Sequence, residues 1–121
     1  MPVAQVFYRT LLRGFRVVSP AMTWGASKLS RGLRGRRQAH RVLVEWGKVV
    51  RDPDRPVIWL HAASVGEALQ AGAVLEALRE RIPHLQAVFT FFSPSAEALA
   101  ERFPADVSTY LPWDLPEVMD Q

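Results

Sequence analysis

Glu67 follows the apolar run PVIWL and stands at the head of a helix-forming stretch, in the segment HAASVGEALQAG (residues 61–72) with His61 and Ser64 close by. A carboxylate in that place has two uses. As a general base it takes a proton from a hydroxyl held within hydrogen-bond reach. As a structural group it completes Ser64-Val65-Gly66-Glu67, the S-x-x-E spacing of a capping box. There Ser64 accepts from the third helical amide and Glu67 returns to the amide of Ser64, for about 1 kcal/mol. The spacing alone favours the cap, because S-x-x-E is common, and leaves the catalytic reading open.

Few other residues offer chemistry. Ser93 and Ser95 lie in a second loop of the same kind, FFSPSAE. His40, His61 and His84 lack the short spacing that puts two ligands on one helix face, so no metal site is expected. The chain has no cysteine, which removes disulfides, thiolate ligands and a cysteine nucleophile together. The first loop has one glycine, Gly66, and neither G-x-G-x-x-G nor G-x-x-x-x-G-K-[ST] occurs, so no bound cofactor is expected.

The elements that must carry these loops are legible in residues 52–121. VIWLHA (57–62) is apolar, β-branched and aromatic, as a strand buried on both faces should be. Residues 66–82 predict a helix with Ala68, Leu69, Ala71, Gly72, Leu75 and Leu78 as its apolar stripe and Pro83 after its end. QAVFTFF (86–92) is a second strand, SPSAEALAERF a helix capped by Ser93 with Pro94 at its first position, and DVSTYLP (106–112) a third strand. Strand, helix, strand, helix, strand at this spacing predicts a partial Rossmann-like parallel α/β sheet, with sites at the carboxyl ends of its strands. Three parallel strands do not complete such a sheet, and the expectation is that the chain stops inside a larger fold.

Charge divides the chain. Residues 1–51 hold eleven Lys and Arg against one acid, and residues 52–121 hold four against eleven, behind a formal net charge of +3. At 100° per residue Ala4, Phe7, Leu11, Phe15 and Val18 gather on one side of a first helix, opposite Arg9, Arg13 and Arg16, and Pro20 limits its extent. Residues 28–41 add a polybasic tract of Lys28, Arg31, Arg34, Arg36, Arg37 and Arg41. No apolar run reaches the length of a bilayer span. The uniform charge favours an interfacial arm, with Phe7, Leu11 and Phe15 among acyl chains and the arginines at anionic headgroups. The competing reading is a solvated helix packed on the rest of the protein. An acid-poor, arginine-rich start also has the character of a mitochondrial transit peptide. Nucleic acid is not an expected partner: no aromatics interleave the arginines of 31–41, and there is no helix-turn-helix or zinc pattern.

Residues 57–116 resemble the amino-terminal domain of the Kdo (3-deoxy-D-manno-octulosonic acid) transferases. The resemblance rests on H-A-x-S-V-G-E after the first strand, T-x-x-S-P-S after the second and L-P-x-D after the third. It implies half of a GT-B glycosyltransferase with two Rossmann-like domains, active without a metal. Residues 1–51 would be a membrane-associating arm and residues 52–121 an incomplete acceptor-binding domain. The donor, CMP-Kdo, would bind in a carboxy-terminal domain beyond this chain, so these residues alone would be inactive. The acceptor would be the lipid A precursor of lipopolysaccharide, at the cytoplasmic face of the bacterial inner membrane. By the same resemblance Glu67 is the general base, and His61, Ser64, Gly66, Ser93 and Ser95 surround the acceptor, although His61 could equally serve to orient its loop. Ala96 stands where the family commonly carries glycine, which questions a close substrate approach to that backbone. The rival reading is a non-catalytic α/β binding module, recruited to anionic membranes by its arm, in which Glu67 only caps.

Overall fold

The computed structural model describes residues 3–22 and 28–120. β2 (Gln86–Phe91) lies at the centre of a three-stranded sheet, with β1 (Val57–Ala62) and β3 (Val107–Tyr110) parallel on either side. Parallel neighbours require crossovers. α3 (Val65–Arg81) makes the first. A 3-10 turn at Pro94–Ala96 and α4 (Glu97–Ala100) make the second. Upstream are α1 (Val3–Met22), α2 (Lys28–Glu45) and a π-helical turn at Trp46–Val50, and α5 (Pro116–Met119) closes the described chain.

One apolar cluster lies beneath α3 and α4, where Leu75, Ala68, Ala100 and Phe103 meet Ala87, Phe89 and Phe91 of β2. Phe103 stacks on Phe89 at 3.8 Å between centroids, and the edge of its ring lies against Gly72 of α3. Every residue of β2 is buried, whereas β1 alternates: Ile58, Leu60 and Ala62 face the cluster, and Trp59 is 46% exposed. The strand expected to be buried on both faces is therefore β2 and not β1, because β1 has a neighbour on one side only among the described residues. The helical stripe needs one correction as well. Leu69 points outward, since the sheet contacts a narrower arc of α3 that includes Ala68 and Leu75.

α2 runs along β3. Gly35 makes this possible: a Cβ there would lie 2.1 Å from Cδ2 of Tyr110. Further along α2, Ala39 is fully buried in the main cluster. The polybasic tract is thus a packed helix, and Arg31 and Arg36 are among its arginines engaged within the protein. Arg31 pairs with Glu97, which also accepts from the Tyr110 hydroxyl. Arg36 lies over the rings of Phe92 (5.0 Å) and Trp113 (4.6 Å) and donates to the carbonyl of Leu111. Burial pulls the Arg36 guanidinium below its usual pKa. Burial, followed by the bond to Glu97, pushes the Tyr110 hydroxyl well above its own. Arg34, Arg37 and Arg41 remain on the exposed face of α2, and the Lys28 side chain lies outside the described residues.

α1 continues through Pro20 to Met22, two residues further than the proline suggested. Loss of one amide donor near a helix end removes little. α1 docks on the segment after β3: Leu12 joins a second cluster of Leu33, Trp113, Leu115 and Val118, and Phe15 meets the edge of Trp113 at 6.1 Å. Arg13 pairs with Glu117 at 3.2 Å, which lowers the pKa of that carboxylate. Among the described residues no helix is long and apolar enough to cross a membrane.

Gly35→Ala should force α2 away from Tyr110 and destabilise the fold by about 1–3 kcal/mol, as overpacking does. Gly14→Ala, whose Cβ would meet nothing within 4 Å, should instead be neutral or stabilising by up to about 1 kcal/mol. Thermal denaturation of the two variants beside the parent protein checks both.

Candidate active site

β1 ends at Ala62 and the chain turns at once into α3, because Ser64 is extended (φ −138°, ψ 166°) and its hydroxyl accepts from the Glu67 amide at 3.2 Å. The first helical bond runs from Ala68 N to the Ser64 carbonyl at 3.0 Å. Glu67 does close the turn, but one residue earlier than the usual capping box: its Oε2 accepts from the amide of Ala63 at 2.6 Å and not from that of Ser64. Among the described residues nothing donates to Oε1. One oxygen is fastened to the backbone and the other is left at an exposed surface, at the amino terminus of a 17-residue helix.

The second loop lies alongside. Phe92 N donates to the Ala62 carbonyl at 3.2 Å, which ties the base of the β2 loop to the end of β1. Ser93 caps the 3-10 turn by accepting from Ser95 N at 3.3 Å, and Ser95 is exposed. The helix expected over residues 93–103 is this turn followed by a single α-helical turn, since Phe103 goes inward to Phe89 and Pro104 follows it. Ala96 is fully buried in the main cluster, so its methyl group faces the core.

His61, Ser64, Gly66 and Glu67 therefore share one loop region, and Ser93 and Ser95 occupy the adjacent one. The candidate membrane residues lie elsewhere, on α1. One cavity of about 380 Å³ is lined by Leu43, Val44, Trp46, Trp59 and Val88 among others and another of about 380 Å³ by Arg31, Gln38 and Tyr110 among others, and neither includes Glu67. Among the described residues Glu67 lies at an exposed surface. Among the described residues no group of three or more His, Cys, Asp or Glu could hold a metal ion.

Two residues beside the site were given no role from the sequence, Trp59 and Thr90, the second of them present only as the first residue of T-x-x-S-P-S. Thr90, wholly buried, is within 3.0 Å of His61 Nδ1 through its hydroxyl and accepts from Trp59 Nε1 at 2.9 Å. A single hydroxyl inside the apolar run AVFTFF was the available signal, because a buried polar group needs partners.

A parallel sheet whose strand-to-helix loops lie side by side at the carboxyl ends of β1 and β2, with a capped carboxylate among them, makes a partial Rossmann-like α/β domain. A family model described as 3-deoxy-D-manno-octulosonic-acid transferase (kdotransferase) matches residues 26–121, and the chain belongs to that family. It is 43% identical over 61 residues to a 3-deoxy-D-manno-octulosonic acid transferase of Haemophilus influenzae. That stretch is 49% of this chain and 14% of the relative, so the chain spans only part of the length of the protein it matches. No solved structure matches.

Ser64→Ala should cost about 1 kcal/mol by removing the cap. Glu67→Gln should cost much less, because the amide oxygen of glutamine still accepts from Ala63 N. Chemical denaturation of the two variants gives the comparison, and a Glu67→Gln loss as large as that of Ser64→Ala would count against the fastened-oxygen geometry.

Proposed function

We propose that the protein to which these residues belong transfers Kdo from CMP-Kdo to a sugar hydroxyl of the lipid A precursor, with Glu67 as the general base. The observation that carries this reading is the division of labour within one carboxylate. Oε2 is held by the Ala63 amide, and among the described residues nothing donates to Oε1. In the reaction the acceptor oxygen bonds to the anomeric carbon of Kdo while the bond from that carbon to the CMP phosphate breaks. CMP leaves with the electron pair, and the hydroxyl proton passes to Glu67. His61, Ser64, Gly66, Ser93 and Ser95 border the acceptor. The donor binds in a second domain of a GT-B pair, and nothing in residues 1–121 has the sequence of a nucleotide loop.

The same proposal places the protein on the cytoplasmic face of the inner membrane, held peripherally by its basic arm. Support comes from the two unlike sides of α1. Leu12, Arg13 and Phe15 are engaged with the rest of the protein. Phe7 and Leu11, 65% and 57% exposed, continue the apolar stripe outward. Phe15 and Arg13 therefore serve docking first, with Arg16 also near Glu117, while Phe7 and Leu11, with Arg9 on the polar side, form the membrane contact. The exposed arginines of α2 add attraction for anionic headgroups. The part fastened to the sheet, α2 with residues 52–121, carries the acceptor surface.

Glu67→Gln in the full-length protein should lower turnover by about 10²- to 10⁴-fold, the contribution of a general base, with its thermal midpoint almost unchanged. The assay is Kdo transfer from CMP-Kdo to a tetra-acylated precursor. Normal transfer by this variant would leave Glu67 as a cap only, whereas no transfer by the parent protein would favour the binding-module reading. For the arm, flotation with vesicles containing anionic lipid should fall as salt rises and disappear in the Phe7→Glu, Leu11→Glu double variant. That pair spares the contacts of Phe15 and Arg13, so retained flotation would remove α1 from the membrane.

A further inference from the structure

Trp59, Thr90 and His61 share the sheet face opposite α3, and their hydrogen bonds have a direction. The indole N–H of Trp59 can only donate, so the Thr90 hydroxyl oxygen is its acceptor at 2.9 Å. Thr90 is 0% exposed, and its own proton must go to an acceptor. Among the described residues the acceptor within reach is Nδ1 of His61, at 3.0 Å. Nδ1 therefore carries no proton in the neutral ring. The proton sits on Nε2, at the exposed end of an imidazole standing at the carboxyl end of β1.

We propose that this relay fixes His61 as an Nε2–H donor that binds an oxygen of the sugar substrate, and that Thr90 is a positioning residue for it. The inference rests on the glycosyl-transfer reading and deepens it by giving the chemistry of the partner. Nε2–H selects an oxygen acceptor, such as a hydroxyl, carboxylate or phosphate oxygen, over an N–H or O–H that must donate. The relay also joins two loops of the site. His61 belongs to the segment that leads to Glu67, and Thr90 lies on the strand that leads to Ser93. The parallel register that sets His61 opposite Thr90 is what brings them together.

The test uses full-length protein labelled with ¹⁵N-histidine, read by long-range ¹H–¹⁵N correlation in mildly alkaline buffer, together with steady-state kinetics varying each substrate in turn. The parent protein should show His61 as the Nε2–H tautomer alone. Thr90→Val, which removes the hydroxyl, and Trp59→Phe, which removes only the donor that sets the direction, should both give mixed tautomers. Thr90→Ser should restore the single form. His61→Ala should raise KM for one substrate about tenfold or more, the worth of a lost hydrogen bond, and His61→Gln, which keeps an N–H near the Nε2 position, should recover most of it. Whether acceptor or donor KM responds identifies which substrate supplies the oxygen. An Nδ1–H tautomer in the parent, or a single tautomer surviving Trp59→Phe, would overturn the relay. A His61→Ala variant with unchanged kinetics would overturn the substrate contact. Absence of Kdo transfer by the full-length parent protein would instead sink the transfer reading and leave the tautomer result standing.

Discussion

β2 is buried along its whole length, and this burial governs the rest of the structure. A strand closed on both faces cannot send its polar groups to water, so Gln86 and Thr90 must find partners inside. Gln86 does so at the start of the strand, with Oε1 accepting from Asp52 N and Nε2 donating to the carbonyls of Asp52 and Arg55, which pins the turn leading into β1. Thr90 does so near the end of the strand, on Trp59 and His61. The two requirements hold β1 at both of its ends, and the loop that carries Glu67 starts from a strand whose position is settled.

The arm and the sheet interact more than the charge boundary at residue 51 suggests. Arginine serves two purposes in this chain. Arg13 and Arg31 neutralise acids that follow the boundary, and Arg36 fills the space between two aromatic rings. The opposite net charges of the two halves are in part the attraction between them.

Much of the fold could be read in the sequence because period and punctuation agree there. The bounds of β1 and β2 and the course of α3 follow from apolar runs closed by Pro56 and Pro83 and by the serines at the loop heads. The order of burial could not be read in the same way. VIWLHA and QAVFTF have similar composition, and which is central depends on partners distant in the sequence. The site divides similarly. Ser64 and Glu67 were visible because a cap is local, although its shift to Ala63 was not. The pairing of His61 with Thr90 depends on strand register, 29 residues apart, and no local pattern encodes that. The role of Arg36 was hidden for a related reason, since Phe92 and Trp113 reach it only after the chain has folded.

The bond from Ala63 N to Glu67 Oε2 has a consequence for when disorder is lost. A free glutamate side chain samples many rotamers, and ordering it costs about 1.5–2 kcal/mol. Here the ordering takes place as the helix forms, long before any sugar arrives. In the proposed reaction that loss is charged to the stability of the domain and is absent from the encounter with the acceptor, which would meet a carboxylate already held by the Ala63 amide.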